Sequence, residues 1–156
     1  MRRRLARELA VQILYYLEMN EVAPITATDY VIDEVRENDE GSMLLAKDEI
    51  DSAYIMTLVA GTRKHAQSFD DILVEYLKSW KLDRLSKVDT QILRLAMFEF
   101  LFADDVPRAA VINEAVDLAK RFGTADSGKF VNGVLGKVLL DIDAIRNQIP
   151  ALNSDD

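Results

Sequence analysis

The sequence predicts an all-α fold, and three observations carry that expectation. Apolar residues recur at spacings of three and four in one segment after another, the period of a helix with one buried face. No long stretch alternates polar and apolar residues at period two, so half-buried strands are not expected. Only 3 Pro and 6 Gly interrupt 156 residues. With 49% hydrophobic residues the chain can build the core of one domain. About seven helices are expected, arranged as two bundles.

The first helix is expected over Arg3–Met19, where Leu5, Leu9, Ile13 and Leu17 fall at four-residue spacing and Ala6, Ala10 and Leu14 fill the neighbouring stripe. Arg3 and Arg4 each share a face with Arg7. With Arg2 they set four positive charges at a helix start, where the dipole disfavours them. Such a cluster is either a solvated basic end or a contact for an anion, and the residues alone leave both open. Pro24 breaks the chain. A second helix is expected from Thr26 or Thr28, carrying Tyr30, Val31, Glu34 and Val35. Asn38–Ser42 reads as a polar, mobile and variable loop.

Asp48 is expected to open a longer helix reaching about Gln67, with Ile50, Tyr54, Met56, Leu58 and Val59 available for burial. His65 on it reads as a surface or packing residue. A short helix follows from Ser68 to Trp80. Ser86–Asp89 (SKVD) resembles a capping box, with an acid at the third helical position. The helix it starts is the expected central core helix. Arg94 and Glu99 stand inside its apolar run and must reach the surface or find partners. Asp104-Asp105-Val106-Pro107 then forms a turn.

The next segment, from Arg108, carries Val111, Ile112, Ala115, Leu118, Ala119 and Phe122 at helical period. Lys120 and Arg121 suit its negative end. Gly123 is expected to end it in the left-handed conformation. Asp126 or Ser127 can cap a last helix burying Phe130, Val131, Val134, Leu135, Val138, Leu139, Ile142 and Ile145. The start of that helix, with Lys129 beside it, is a place where an anion can bind. A helix pair of this kind with a Lys at its cap is also read as a plain packed hairpin, the commoner case, and Phe130 is either core or a platform for a base.

The formal net charge is −8, but it is unevenly spread. Residues 21–51 hold ten acidic side chains against Arg36 and Lys47, and the rest of the chain is balanced at 17 of each sign. A local basic patch on an acidic protein can therefore attract nucleic acid, because potentials act over about 10 Å at ordinary salt.

Several chemistries are excluded. There is no Cys and one His, so disulfides, thiolate metal sites, cysteine nucleophiles and paired imidazoles are absent. No GxxxxGK[ST] phosphate loop occurs, and Gly128, Gly133 and Gly136 fall within a helix rather than after a strand. The pairs Asp70-Asp71 and Asp104-Asp105 are chain neighbours that point apart or lie in turns. No catalytic residue, metal or cofactor is expected. No apolar run is long enough for a membrane span, no signal core follows the basic start, and a cytoplasmic protein is expected.

Three stretches carry a resemblance. RRLARELAVQILY (Arg3–Tyr15), SWKLDRLSKVDTQILRLAMFE (Ser79–Glu99) and VPRAAVINEAVDLAKRFGTADSGKFVNGVL (Val106–Leu135) resemble, in order, the NusB family of bacterial transcription antitermination factors. Together they span nearly the whole chain. The resemblance implies an all-helical NusB-like domain over residues 1–148, with a variable acidic segment at 21–51 and a polar tail at 149–156. It implies no enzymatic activity. It implies binding of the boxA element of ribosomal RNA transcripts together with NusE, a small-subunit ribosomal protein, in a complex with other Nus factors and RNA polymerase.

Matched residue by residue, the family's RNA contacts fall on Arg3, Arg4 and Arg7, with Arg2 as an added charge, and on Asp126, Lys129 and Phe130. Its NusE contacts fall on Tyr15, Asp83 and Asp89. Acids facing a basic ribosomal protein make electrostatic sense. The family includes monomers and homodimers, and the sequence leaves both open. This chain departs from the pattern in its long acidic segment and at Thr90, Phe98 and Gly136. Two other readings share the fold. One is the module attached to RNA cytosine methyltransferases, though this chain ends without that domain and its catalytic Cys. The other is a protein-interaction scaffold that does not bind RNA.

Overall fold

The computed structural model describes residues 2–38, 50–77 and 85–148. Among them the chain forms α1 (Arg2–Met19), α2 (Pro24–Asn38), α3 (Ser52–Lys64), α4 (Ala66–Leu73), α5 (Lys87–Phe102), α6 (Arg108–Phe122), α7 (Ser127–Leu140) and α8 (Ile142–Gln148). A single 3-10 turn, Val74–Tyr76, follows α4. No strand occurs among the described residues. The helices divide into two compact units, residues 1–63 and 64–156, as the two-bundle expectation required.

In the first unit α1 packs on α2, and its predicted stripe is buried at Ala6, Leu9, Ala10, Ile13, Leu14 and Leu17, with Leu5 half-buried at its start. The ring of Tyr16 meets that of Tyr30 at 5.0 Å. Helix α2 begins at Pro24 itself rather than at Thr26 or Thr28. Proline suits a first helical position because the N–H it lacks has no helical partner there. Thr28 is buried inside the helix instead, its Oγ1 2.8 Å from the Pro24 carbonyl and 3.0 Å from Met56 Sδ of α3. Helix α3 is capped by Asp51, whose Oδ1 accepts the Tyr54 N–H at 3.1 Å. Asp48, expected to open it, lies outside the described residues, as does most of the 38–42 loop.

The helix expected to run through to Gln67 breaks at His65, where φ is −107° and ψ 12°. The break lets the imidazole lie flat on Phe102, at 4.9 Å and 13° between planes, with Phe69 at 5.9 Å. Burial, and secondarily the neighbouring Lys64, lower the His65 pKa. The expected packing role is therefore the one the ring fulfils.

Helix α5 is the centre of the second unit, with α4, α6, α7 and α8 packed on it. It is buried on nearly every side, from Ile92 and Leu93 to Met97 and Phe100, the pattern of a core helix. Arg94 solves its burial by pairing with Asp70 of α4. Asp71 turns away and accepts from Gln67 Nε2 at 2.9 Å, so the two neighbouring carboxylates do point apart. Arg146 of α8 donates to the Phe100 carbonyl at 2.9 Å.

The last predicted helix is two helices. Asp141, with φ −108° and ψ 10°, ends α7. Its N–H turns to the Val138 carbonyl at 3.0 Å, and its carboxylate accepts the Tyr76 hydroxyl at 2.8 Å. Ile142 and Ile145 stay buried, while Leu140 is turned outward at 85% exposure.

Candidate nucleic-acid interface

The two predicted clusters of RNA-facing residues lie one in each unit. In the first, Arg2 opens α1, and Arg3 and Arg4 are exposed on its first turn. The Arg3 guanidinium lies 5.6 Å from the centre of the Tyr54 ring, a cation–π contact that ties it to α3. Arg7 differs from the expectation. It is only 5% exposed, because one helical turn further along it sits on the face that carries Ala6 and Ala10 into the core. Tyr15, the predicted partner residue on the same helix, is 40% exposed.

The second cluster is the connection between α6 and α7, and its geometry follows from one hydroxyl. Gly123 ends α6, donating its N–H to the Ala119 carbonyl at 2.9 Å. It is not left-handed as expected. Its φ of −100° and ψ of −157° are extended backbone. Space is what demands glycine: a Cβ there would stand 2.4 Å from Ser127 Oγ and 2.8 Å from the Ala119 carbonyl oxygen. Ser127 Oγ accepts the Thr124 N–H at 2.9 Å and donates to Asp89 Oδ2 at 3.0 Å. The hydroxyl expected to cap α7 thus closes the preceding turn.

Asp126 holds the N-cap position of α7 but makes no side-chain cap bond. Its carbonyl accepts the Phe130 N–H at 3.1 Å, while its side chain is exposed. The first turn of α7 therefore offers backbone N–H groups that its cap residue does not cover, the arrangement that suits an anion. Lys129 is exposed on that turn, and Phe130 is half-buried.

Lys120 joins this end of the helix. Its stem lies across Gly128, where a Cβ would meet Lys120 Cγ at 3.1 Å and Cε at 3.3 Å. The bare glycine lets an aliphatic stem pack on the start of α7. Periodicity and charge assign Lys120 only a dipole role. The eight-residue separation from Gly128 has no meaning until the hairpin folds.

Asp89, a predicted partner residue, is buried at 8% exposure near the start of α5. Ser86 Oγ accepts the Asp89 N–H at 3.0 Å, as the capping-box reading expected. The Asp89 carboxylate does not complete that box but reaches α7. Asp83 lies outside the described residues. No group of three or more potential metal ligands occurs among the described residues, and no described helix is long and apolar enough to cross a membrane.

Comparison with known proteins bears on this arrangement. The NusB family profile matches residues 4–140. The chain is 38% identical over 144 residues to the transcription antitermination protein NusB of Bacillus velezensis, covering 92% of this chain and 100% of that one. Among solved structures, T. maritima NusB superposes with a TM-score of 0.71 and 32% identity, covering 93% of this chain and 90% of that chain. A chain from the crystal structure of antitermination factors NusB and NusE in complex with dsRNA does so with a TM-score of 0.71 and 28% identity, over 94% of this chain and 97% of that chain. A profile matched from the first turn of α1 to the end of α7, with the same helical architecture, has one meaning: the chain belongs to the NusB family.

Proposed function

We propose that this protein is a non-enzymatic, cytoplasmic transcription antitermination factor that binds boxA RNA of ribosomal RNA transcripts jointly with NusE. The observation that carries the reading is the open start of α7, with Lys129 exposed on it and Lys120 laid across Gly128. Backbone N–H groups at a helix start with lysines beside it suit a phosphate. The similarity to a NusB from a complex with NusE and dsRNA supports the same reading.

In this reading Arg3 and Arg4 contact phosphates, and Arg2 adds charge. Arg7, being buried, supports the helix rather than meeting the backbone directly. Lys129 holds a phosphate or a base edge, and Asp126 accepts from a base amine. The half-buried Phe130 ring stacks on an unpaired base, the usual mode for single-stranded RNA. Tyr15 and Asp83 belong to the NusE face, through which other Nus factors and RNA polymerase are joined.

The test is fluorescence anisotropy of labelled boxA RNA against a scrambled control, with and without NusE. Selective binding that tightens with NusE is expected. Equal binding to both RNAs would leave only a charged patch. No binding to either, even with NusE, would favour the scaffold reading.

A further inference from the structure

We propose that Asp89 is a positioning residue for the RNA-facing turn, holding the α6–α7 connection through Ser127 without touching RNA. The proposal rests on the RNA reading above and adds to it a residue that the family resemblance places on a different face.

The chain of contacts is short. Asp89 Oδ2 accepts the Ser127 hydroxyl proton at 3.0 Å, between side chains that are 8% and 2% exposed. An ionised acceptor makes such a bond stronger than a neutral one. A hydroxyl has one proton. With that proton given to Asp89, the Ser127 lone pairs face the turn and accept the Thr124 N–H at 2.9 Å. Gly123 is bare so that the turn can close on this oxygen. Among the described residues Asp89 Oδ1 has no hydrogen-bond partner, so Ser127 is the described side chain that binds the carboxylate. Without Asp89 the hydroxyl can swing to Thr124 Oγ1, 3.2 Å away, and the turn loses its anchor on α5.

Position and charge then predict opposite signs. A carboxylate near an RNA site disfavours RNA by repulsion, so its removal alone would tighten binding. If Asp89 positions the turn, its removal weakens binding.

The experiment uses the full chain with Asp89→Leu, Asp89→Asn, Ser127→Ala and the Asp89→Leu/Ser127→Ala double variant. It reads boxA RNA anisotropy without NusE, amide hydrogen exchange at Thr124 in the free protein, and thermal melting. Asp89→Leu and Ser127→Ala should each speed Thr124 exchange and weaken RNA about five- to tenfold, the scale of one net hydrogen bond. The double variant should be no worse than either single one, because both remove the same contact. Asp89→Asn keeps an oxygen acceptor and should retain most of the affinity. Ser127→Ala and Asp89→Asn keep the question answerable should Asp89→Leu not fold. Unchanged Thr124 exchange would overturn the proposal, as would tighter RNA binding by both Asp89 variants. Wild-type protein that binds no RNA would overturn the RNA reading by itself. Thr124 exchange, read without RNA, still decides whether Asp89 holds the turn.

Discussion

Arg94 of α5 and Asp70 of α4 meet in a bidentate pair, Nε on Oδ1 at 2.8 Å and Nη2 on Oδ2 at 2.5 Å. Their side chains are 14% and 15% exposed, so the pair is largely shielded from solvent screening. Removing one partner leaves a poorly solvated charge behind. Asp70→Asn should cost about 2 kcal/mol, a fall of about 4–8 °C in Tm. A double-mutant cycle with Arg94→Met measures the coupling. Additive losses would show that the pair contributes nothing beyond its two separate side chains.

The arginines of α1 should separate by burial. Arg3→Ala/Arg4→Ala should weaken RNA binding and reduce the single-strand log–log salt slope by roughly 1.4, if each meets one phosphate. Arg7→Ala should leave the slope unchanged and lower the Tm instead, since the side chain is buried. A slope that fell with Arg7→Ala as far as with one exposed arginine would put Arg7 at the RNA.

Two glycines five residues apart should respond differently to the same methyl group. Gly123→Ala drives a Cβ onto Ser127 Oγ and the Ala119 backbone, and should destabilise by about 1–3 kcal/mol. Gly128→Ala meets only the flexible stem of Lys120, which can move. It should leave the Tm nearly unchanged while weakening RNA binding through the displaced ammonium. Melting and anisotropy on the two variants check this.

His65 should make stability depend on pH just below neutrality. Its folded pKa lies below 6.5, lowered by burial and then by Lys64. Between the folded and unfolded pKa values the unfolded chain binds more protons, so stability rises with pH in that window and falls as pH drops below 6.5. Thermal melts on either side of the window, compared with His65→Gln, should show this component lost in the variant.

Tyr76 should act at the alkaline end. Burial, then the hydrogen bond to Asp141, then the charges of Asp141 and Glu75 raise its pKa from 10.0 to about 12. Above pH 10 the unfolded chain releases the phenolic proton more readily, so stability is lost as pH rises from 10 to about 12. Tyr76→Phe should flatten this part of the profile in denaturant titrations. An unchanged profile would show that the phenol does not link to folding.

Periodicity made the helices legible because each buries a continuous stripe. It foretold the α1 stripe, the central place of α5 and the α6–α7 pairing. It failed where a break is set by contacts far along the chain. His65 leaves its helix for Phe102, and Asp141 ends α7 while bonded to Tyr76, neither of which spacing can reveal. At the candidate site, residue type identified Lys129, Asp126 and Gly123 as members. It misjudged what Gly123 is for, because the oxygen that crowds it arrives from the next helix. The burial of Arg7 was hidden for a similar reason: sharing a face with Arg3 and Arg4 does not tell which part of that face the core covers.

A helix enclosed by others has a difficulty that a surface helix does not. With apolar residues on nearly every side, α5 could turn about its axis and still bury a comparable area. Asp89 and Arg94 remove that freedom, since one must meet Ser127 and the other Asp70. A turn of one residue, about 100° in an α-helix, would carry both away from these two contacts. The two polar contacts thus act as an index mark for rotation. They specify which of several similar packings is the native one, a job that apolar area cannot do.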